Sequence, residues 1–303
     1  MCISPSVVDV DRGPHWEQVP VPCKRCWQCR TNRVSNYVGR SLCEAQISDW
    51  TLALTLTYRD QEDLSHRYIT PPHFQKFVRS LRRRGHLVRY LVCGEYGALY
   101  GRAHFHVVLF GKGKPPQIPH KKNHHIAEWP HGHVYGDWSS DERALRYVCK
   151  YVLKDLPGGA WFQTSKKPAI GTEWFVKKAQ RDVALGVLPS TFEYQPPNGH
   201  KGRNYLLTGA VRRDYLKAVT DAAKASGRYR EGQLSEWVQR IYEKDALTLA
   251  KNEALLNPIQ EQMDALNAEI MERKRLPEKR LQMQHLYEDF QRDNAIDSPP
   301  WYE

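Results

Sequence analysis

GRAHFHVVLFG, residues 101–111, reads as a β-strand bounded by glycines. Ala103 to Phe110 is dense in β-branched and aromatic residues, the composition favoured in a pleated, buried segment. Alternate side chains share one face of a strand, so His104 and His106 point the same way, about 6–7 Å apart along the chain, while Phe105 points into the opposite layer. Two imidazoles side by side, with no charged residue between them, suit a shared divalent ion. Upstream, Leu91-Val92-Cys93-Gly94-Glu95 reads as a neighbouring strand ending in a carboxylate, and a hairpin from Tyr96 to Arg102 could bring Glu95 beside the histidines. Two imidazoles and one carboxylate leave coordination positions open for water or a phosphate oxygen. For an isolated histidine pair, two half-exposed strand residues without an ion are the plainer reading.

SSDERALRYVCKYVLK, residues 139–154, shifts that balance. Ser139 followed by Glu142 forms a capping box before an apolar run, and Pro157-Gly158-Gly159 ends it. Leu145, Val148, Cys149, Val152, Leu153 and Leu156 fall on one stripe of an amphipathic helix. At about 100° per residue, Tyr147, Lys150, Tyr151 and Lys154 lie on the opposite half of the wheel. The tyrosines therefore stand one turn apart on the polar face, with lysines interleaved.

These residue types belong to one chemistry. Tyrosine ionises near pH 10 unless assisted, so it needs help to act as a phenolate at neutral pH. Nearby ammonium groups such as Lys150 favour the phenolate, and a metal can polarise a phosphodiester. Attack would leave a phosphotyrosine linkage that conserves the energy for rejoining without ATP. A second tyrosine on the same face could attack a regenerated junction while the first still holds the original end.

The His104-Phe105-His106 pair, the Gly94-Glu95-Tyr96-Gly97 segment before it and Tyr147-Val148-Cys149-Lys150-Tyr151 after it resemble the HUH superfamily of rolling-circle replication initiators. TLALTLTY, residues 51–58, is similar to that superfamily's first motif strand. VPCKRCWQCR near the N-terminus, together with YVCKYVLK, resembles more narrowly the replication initiators of microviruses, the gokushovirus branch in particular. The resemblance covers roughly residues 1–215. It implies that Tyr147 and Tyr151 are nucleophiles, that His104 and His106 ligate Mg2+ or Mn2+ with Glu95 as third ligand, and that the product is a 5'-phosphotyrosine. Cys149 stands where that pattern leads one to expect a small residue such as alanine; its place on the apolar stripe accommodates it.

Charge agrees with a polyanionic partner. The 303 residues include 45 Lys or Arg against 34 Asp or Glu, a net +11, and cations that contact phosphates supply salt-dependent, sequence-blind affinity. Nine Trp, 16 Tyr and eight Phe offer surfaces on which unpaired bases can stack. No run reaches a membrane-spanning length and no signal peptide opens the chain, so the expected location is the cytoplasm of an infected bacterial host.

Seven cysteines without a secretory signal argue against a disulfide framework. Cys23, Cys26 and Cys29 are spaced CxxCxxC, with Cys2 the expected fourth ligand of a structural Zn2+ and Cys43 or His15 the alternatives. Reduced thiols without a metal remain open, and an iron–sulfur cluster shares the triplet spacing but lacks a ferredoxin's fourth-ligand pattern.

Pro71-Pro72 opens a helix with Phe74, Phe77, Val78 and Leu81 inward and Gly85 at its end. Its outer face and tail carry Lys76, Arg79, Arg82, Arg83 and Arg84; Arg79, Arg82, Arg83 and Lys154 are the candidate DNA-backbone contacts. Residues 112–138 read as a loop-like insertion containing a second, glycine-interrupted pair, His131-Gly132-His133, with a short strand near Val134. Basic pairs at Lys166-Lys167, Lys177-Lys178 and Arg212-Arg213 could extend a DNA groove, and Trp174, Phe175, Phe192 and Tyr194 are either base-stacking platforms or core. Beyond Asp214 the pattern is helical, with a seam at Ile259, Met263, Leu266 and Ile270, a second helical stretch over Leu281–Phe290 and a flexible tail.

The expected architecture is α+β: an HUH-endonuclease-like antiparallel sheet of about five strands with packed helices, plus a C-terminal helical segment. Residues 1–49 form a Cys-containing arm, 50–215 the catalytic domain and 216–303 the helical segment with its tail. No GxxxxGK[ST] motif occurs, so a host helicase and replication machinery are expected partners alongside single-stranded and origin-containing double-stranded DNA. A non-catalytic zinc-dependent nucleic-acid-binding protein and a non-haem iron oxygenase are the competing readings.

Overall fold

The computed structural model describes residues 6–11, 16–24, 26–59, 68–97, 101–139, 145–146, 148–149, 161–199 and 201–245. In chain order these form β1 (Ser6–Asp11), β2 (Trp16–Val21), α1 (Trp27–Gln46), β3 (Trp50–Thr57), α2 (Pro71–Arg83), β4 (Leu87–Tyr96), β5 (Ala103–Lys112), β6 (Asn123–His124), β7 (Val134–Asp137), β8 (Trp161–Thr164), α3 (Thr172–Ala184), β9 (Glu193–Tyr194), β10 (Tyr205–Leu206) and α4 (Gly209–Ala225). A further helix covers 231–245. Two compact units result: one from 1–49, 141–149 and 165–268, the other from 50–140, 150–164 and 269–303.

The second unit is a six-stranded antiparallel sheet in the order β6-β7-β3-β5-β4-β8. The expectation of about five strands falls short because β6 and β7 arise inside 112–138, the stretch that reads as a loop. A strand of two and a strand of four residues, set among Pro and Gly, leave no period to detect. Elsewhere alternation holds. Leu52, Leu54 and Leu56 of β3 point to one layer with Phe105, Val107 and Leu109 of β5 and Val88 and Val92 of β4, and all are buried. α2 covers that layer, burying the four residues its periodicity marks: Phe74, Phe77, Val78 and Leu81. Gly85, at φ +88°, ends it in the left-handed conformation that glycine adopts without a Cβ penalty.

Phe105 is the centre of this layer. It is fully buried, and its ring meets Phe74, Trp129, Trp161 and Tyr58 at centroid distances of 6.0, 5.9, 5.7 and 6.2 Å. A Cβ at Gly94, on the neighbouring strand, would stand 3.1 Å from the Phe105 ring and 2.7 Å from Ile69 Cγ2, so the strand must be bare there for the aromatic layer to close. Replacing Phe105 with Ala should cost about 3–5 kcal/mol of unfolding free energy, since both burial and packing are lost. Urea unfolding would show it as a lowered midpoint at unchanged slope; a loss under about 1 kcal/mol would mean that the layer is not the core.

In the first unit, α3 packs against both α1 and α4. Arg40 and Glu44 of α1 secure the turn that begins α3: Arg40 Nε donates to the Ile170 carbonyl at 2.8 Å, and the Gly171 amide donates to Glu44 Oε2 at 2.7 Å. Phe175, Phe192 and Tyr194 are buried here, and the Phe175 ring meets Tyr194 at 4.8 Å and Tyr215 at 5.8 Å. These three side chains are therefore core and not stacking platforms. Several expected groove cations are held in ion pairs: Lys177 with Glu173, Lys178 with Asp182, Arg212 with Asp245 and Arg213 with Asp214. No helix among the described residues is long and apolar enough to cross a membrane. The seam over 259–270 and the stretch Leu281–Phe290 lie outside the described residues.

Candidate metal centre

Antiparallel pairing builds the site. β4 and β5 align so that Glu95 faces His104 and Cys93 faces His106, and β3 places Thr57 and Thr55 opposite the same two histidines. Directly paired residues share a face, so Glu95, His104, His106, Thr55 and Thr57 all stand on the layer opposite Phe105 and α2. The Gly97 amide, donating to the Arg102 carbonyl at 2.9 Å, closes the β4–β5 connection and fixes this register.

Three ligand atoms meet at one point. Glu95 Oε1 lies 3.0 Å from His104 Nε2 and 3.0 Å from His106 Nε2, and the two imidazole nitrogens are 3.1 Å apart. The triangle is nearly equilateral. Ligands forming one face of an octahedron with these edges sit about 2.1–2.2 Å from its centre, close to the roughly 2.0–2.1 Å that Mg2+ requires. A tetrahedral ion would need bonds of about 1.9 Å, shorter than ordinary Zn–N contacts of about 2.0–2.1 Å. The donor set therefore fits a hard-to-borderline, six-coordinate divalent ion, with the remaining positions turned away from the sheet.

The imidazoles are oriented from behind. His104 Nδ1–H donates to the Arg102 carbonyl at 3.1 Å, which leaves Nε2 as the bare nitrogen able to ligate. Thr55 Oγ1 stands 3.4 Å from His106 Nδ1 and occupies the corresponding place. His106 and Glu95 side chains are only 7% exposed, whereas His104 keeps 16%, so solvent and substrate reach the triangle from the His104 end. Thr55 was not singled out from sequence, although TLALTLT carries the signal: threonines alternate with leucines at period two and share the histidine face.

The second histidine pair has a different role. The His131 ring stacks on His73 of α2 at 3.8 Å, and the His133 ring packs against His125 at 4.2 Å. The His133 and His131 carbonyls accept from the Thr57 and Arg59 amides at 2.9 and 2.8 Å. A Cβ at position 132 would lie 2.1 Å from the Thr57 carbonyl oxygen, so Gly132 allows this segment to dock on β3. Among the described residues, the groups arranged to hold a metal are Glu95, His104 and His106, and Cys23, Cys26 and Cys29.

Leu145, Arg146, Val148 and Cys149 are helical, and Leu145, Val148 and Cys149 are buried, as the apolar stripe requires. Tyr147, Lys150, Tyr151 and Lys154 lie outside the described residues, as do Cys2 and His15. Cys43, an alternative fourth ligand for the cysteine cluster, is fully buried in α1, and burial pushes its thiol well above the ordinary range. Arg79, Arg82 and Arg83 are exposed on α2. Since α2 covers the opposite layer, this cationic face stands across the sheet from the triangle, and Arg82 also donates to the Val88 carbonyl at 2.9 Å through Nη2.

Residues 51–156 match a family model of replication-associated proteins of the ORF2 type. Over 213 residues the chain is 29% identical to the replication-associated protein VP4 of Bdellovibrio phage phiMH2K, covering 60% of this chain and 64% of that protein. It is 28% identical to the replication-associated protein ORF4 of Chlamydia phage 1, covering 48% and 41%, and 34% identical to the replication-associated protein ORF2 of Spiroplasma virus 4, covering 30% and 31%. The chain thus spans less than two thirds of the length of each relative. No solved structure matches. The matched segment holds the whole metal triangle and the sheet's central strands, and the chain resembles the replication initiators of microviruses.

Proposed function

We propose that this protein is a rolling-circle replication initiator: a metal-dependent, tyrosine-nucleophile single-strand DNA endonuclease and strand-transferase of HUH type, acting on the genome of a small single-stranded DNA phage. The observation that carries the reading is the triangle of Glu95 Oε1, His104 Nε2 and His106 Nε2, with edges of 3.0, 3.0 and 3.1 Å, inside a segment that matches replication-associated proteins. When bound there, Mg2+ or Mn2+ supplies Lewis-acid polarisation of the scissile phosphate and offsets charge on its oxygens.

This chain's residues do the rest. Glu95 gives the site its negative charge, and the Arg102 carbonyl holds His104 in the tautomer that presents Nε2. Tyr147 or Tyr151 supplies Oη to phosphorus. The P–O3' bond breaks, the departing 3'-oxygen takes a proton, and the 5'-phosphate stays on the tyrosine. Lys150, interleaved with the tyrosines, favours the phenolate that attacks. Arg79, Arg83 and Lys154 contact DNA away from the scissile phosphate, which suits α2's place on the opposite layer and a strand long enough to pass the sheet edge. The duplex origin is opened by a host helicase, and the protein works inside the infected bacterium.

The test is direct. Labelled single-stranded origin DNA, incubated with the full chain and Mn2+, should yield an adduct that survives denaturation, and a chelator should prevent it. Metal-dependent cleavage that leaves no DNA on the protein would replace the nucleophilic tyrosine with water and overturn the reading.

A further inference from the structure

The cysteine triplet is a built site independent of the replication chemistry. Cys23 and Cys29 Sγ stand 4.0 Å apart, and all three sulfurs of Cys23, Cys26 and Cys29 lie within 4.8 Å of one another. Thiolates bound to one tetrahedral ion at about 2.3 Å are separated by about 3.8 Å. An iron–sulfur cluster spreads its cysteines over separate iron atoms, so their sulfurs stand farther apart than the ligands of one ion. The spacing here is that of a single ion.

The backbone is shaped to present these sulfurs. The Cys26 amide donates to Cys23 Sγ at 3.3 Å, and the Cys29 amide donates to Cys26 Sγ at 3.4 Å. Each CxxC step thus wraps its own first sulfur with a peptide N–H, the arrangement that stabilises negative charge on sulfur. Cys26 is also the N-cap of α1, so Cys29 sits in the first turn, at the positive end of the helix dipole. Lys24, inside the first CxxC step, is held at φ +62°. A long L side chain adopts that conformation only where surrounding structure over-determines it. Lys24, Arg25 and Arg30 flank the triplet and offset the charge of a thiolate set.

We propose that Cys23, Cys26 and Cys29 bind one tetrahedral Zn2+ as a structural centre that fixes the first turn of α1 to the segment following β2. The fourth position is open to a ligand beyond the described residues, for which Cys2 is the sequence's own candidate. Binding would deprotonate the thiols and couple metal occupancy to the order of the N-terminal arm.

The full chain, purified without added metal and dialysed against a mild chelator to clear the carboxylate–histidine site, should retain stoichiometric zinc by elemental analysis. Exchange with Co2+ should give a sulfur-to-metal charge-transfer band and intense visible bands of tetrahedral cobalt. Cys23→Ser, Cys26→Ser and Cys29→Ser should each lose them, while His104→Ala with His106→Ala should keep them. Since a cysteine variant could fail to fold, the deciding measurement is Co2+ titration of the folded wild-type chain. No thiolate band there, or iron with acid-labile sulfide in place of zinc, overturns the proposal. A nickase without zinc would sink this site alone, and a zinc-loaded chain that cannot nick would sink the replication reading alone.

Discussion

Replacing His106 with Ala should abolish metal-dependent DNA cleavage, with a fall in rate of about a thousandfold or more, because polarisation of the phosphate contributes several kcal/mol to such reactions. His106 Nε2 is one vertex of a triangle whose other atoms are 3.0 and 3.1 Å away, and its side chain is almost wholly enclosed by the sheet. Water cannot replace the missing ligand without entering that enclosure. His104→Ala should act in the same direction with a smaller loss, since the more exposed His104 leaves a place that water can reach. Mn2+ titration followed by calorimetry separates binding from chemistry. The wild-type melting temperature should rise with Mn2+, as expected for any ligand that binds the folded state, and that of His106→Ala should not. Thr55→Val is the informative companion: it removes the oxygen 3.4 Å from His106 Nδ1 while leaving all three ligands, and should weaken Mn2+ about 10- to 100-fold. A His106→Ala protein that still cleaves at wild-type rate in Mn2+ would remove the triangle from the mechanism.

What could be read in advance follows from period and length. β3, β4 and β5 run for eight to ten residues, long enough for alternation to show which side chains share a face. The identity of the metal-facing side and the pairing of Glu95 with the histidines followed from that alternation and one short hairpin. β6 and β7 did not, because strands of two and four residues carry no period. α1 was hidden for another reason. Its buried stripe is narrow, Val34, Val38 and Leu42, with Asn, Ser, Thr and Gly between, so propensity argues against the helix that packing imposes. Gly39 illustrates the tertiary cause: a Cβ there would lie 2.4 Å from Tyr194 Oη and 2.7 Å from the Tyr205 ring. Two tyrosines more than 150 residues away require that glycine, and nothing local announces it. Cation-rich α2 was legible as a helix, but its placement on the layer remote from the histidines depends on which sheet face Phe74 and Phe77 enter.

Changing Tyr147 and Tyr151 together to Phe should reduce the covalent protein–DNA adduct to background while leaving binding to single-stranded DNA within a few-fold of wild type. Phenylalanine keeps the ring and loses only Oη, the atom that bonds to phosphorus. Without it no ester exchange can occur, and the polarised phosphate can at most be attacked by water, which leaves nothing on the protein. The single variants are the sharper pair. With one hydroxyl remaining, a first cleavage can proceed and an adduct should form. Release of a circular unit-length product should fail, because the regenerated junction must be attacked while the original end is still held. The leaving 3'-hydroxyl of one cleavage becomes the attacking group of the joining step, so the phosphodiester energy passes through the tyrosine ester and no nucleotide is consumed. The helical pattern of 145–156 makes this possible: buried Leu145, Val148 and Cys149 mark the apolar side, and Tyr147 and Tyr151 fall one turn apart on the other. Gel analysis of adduct and circular product for the four combinations measures it. If the double variant still forms an adduct, the nucleophile is another residue; if both single variants circularise normally, alternation between two tyrosines is wrong.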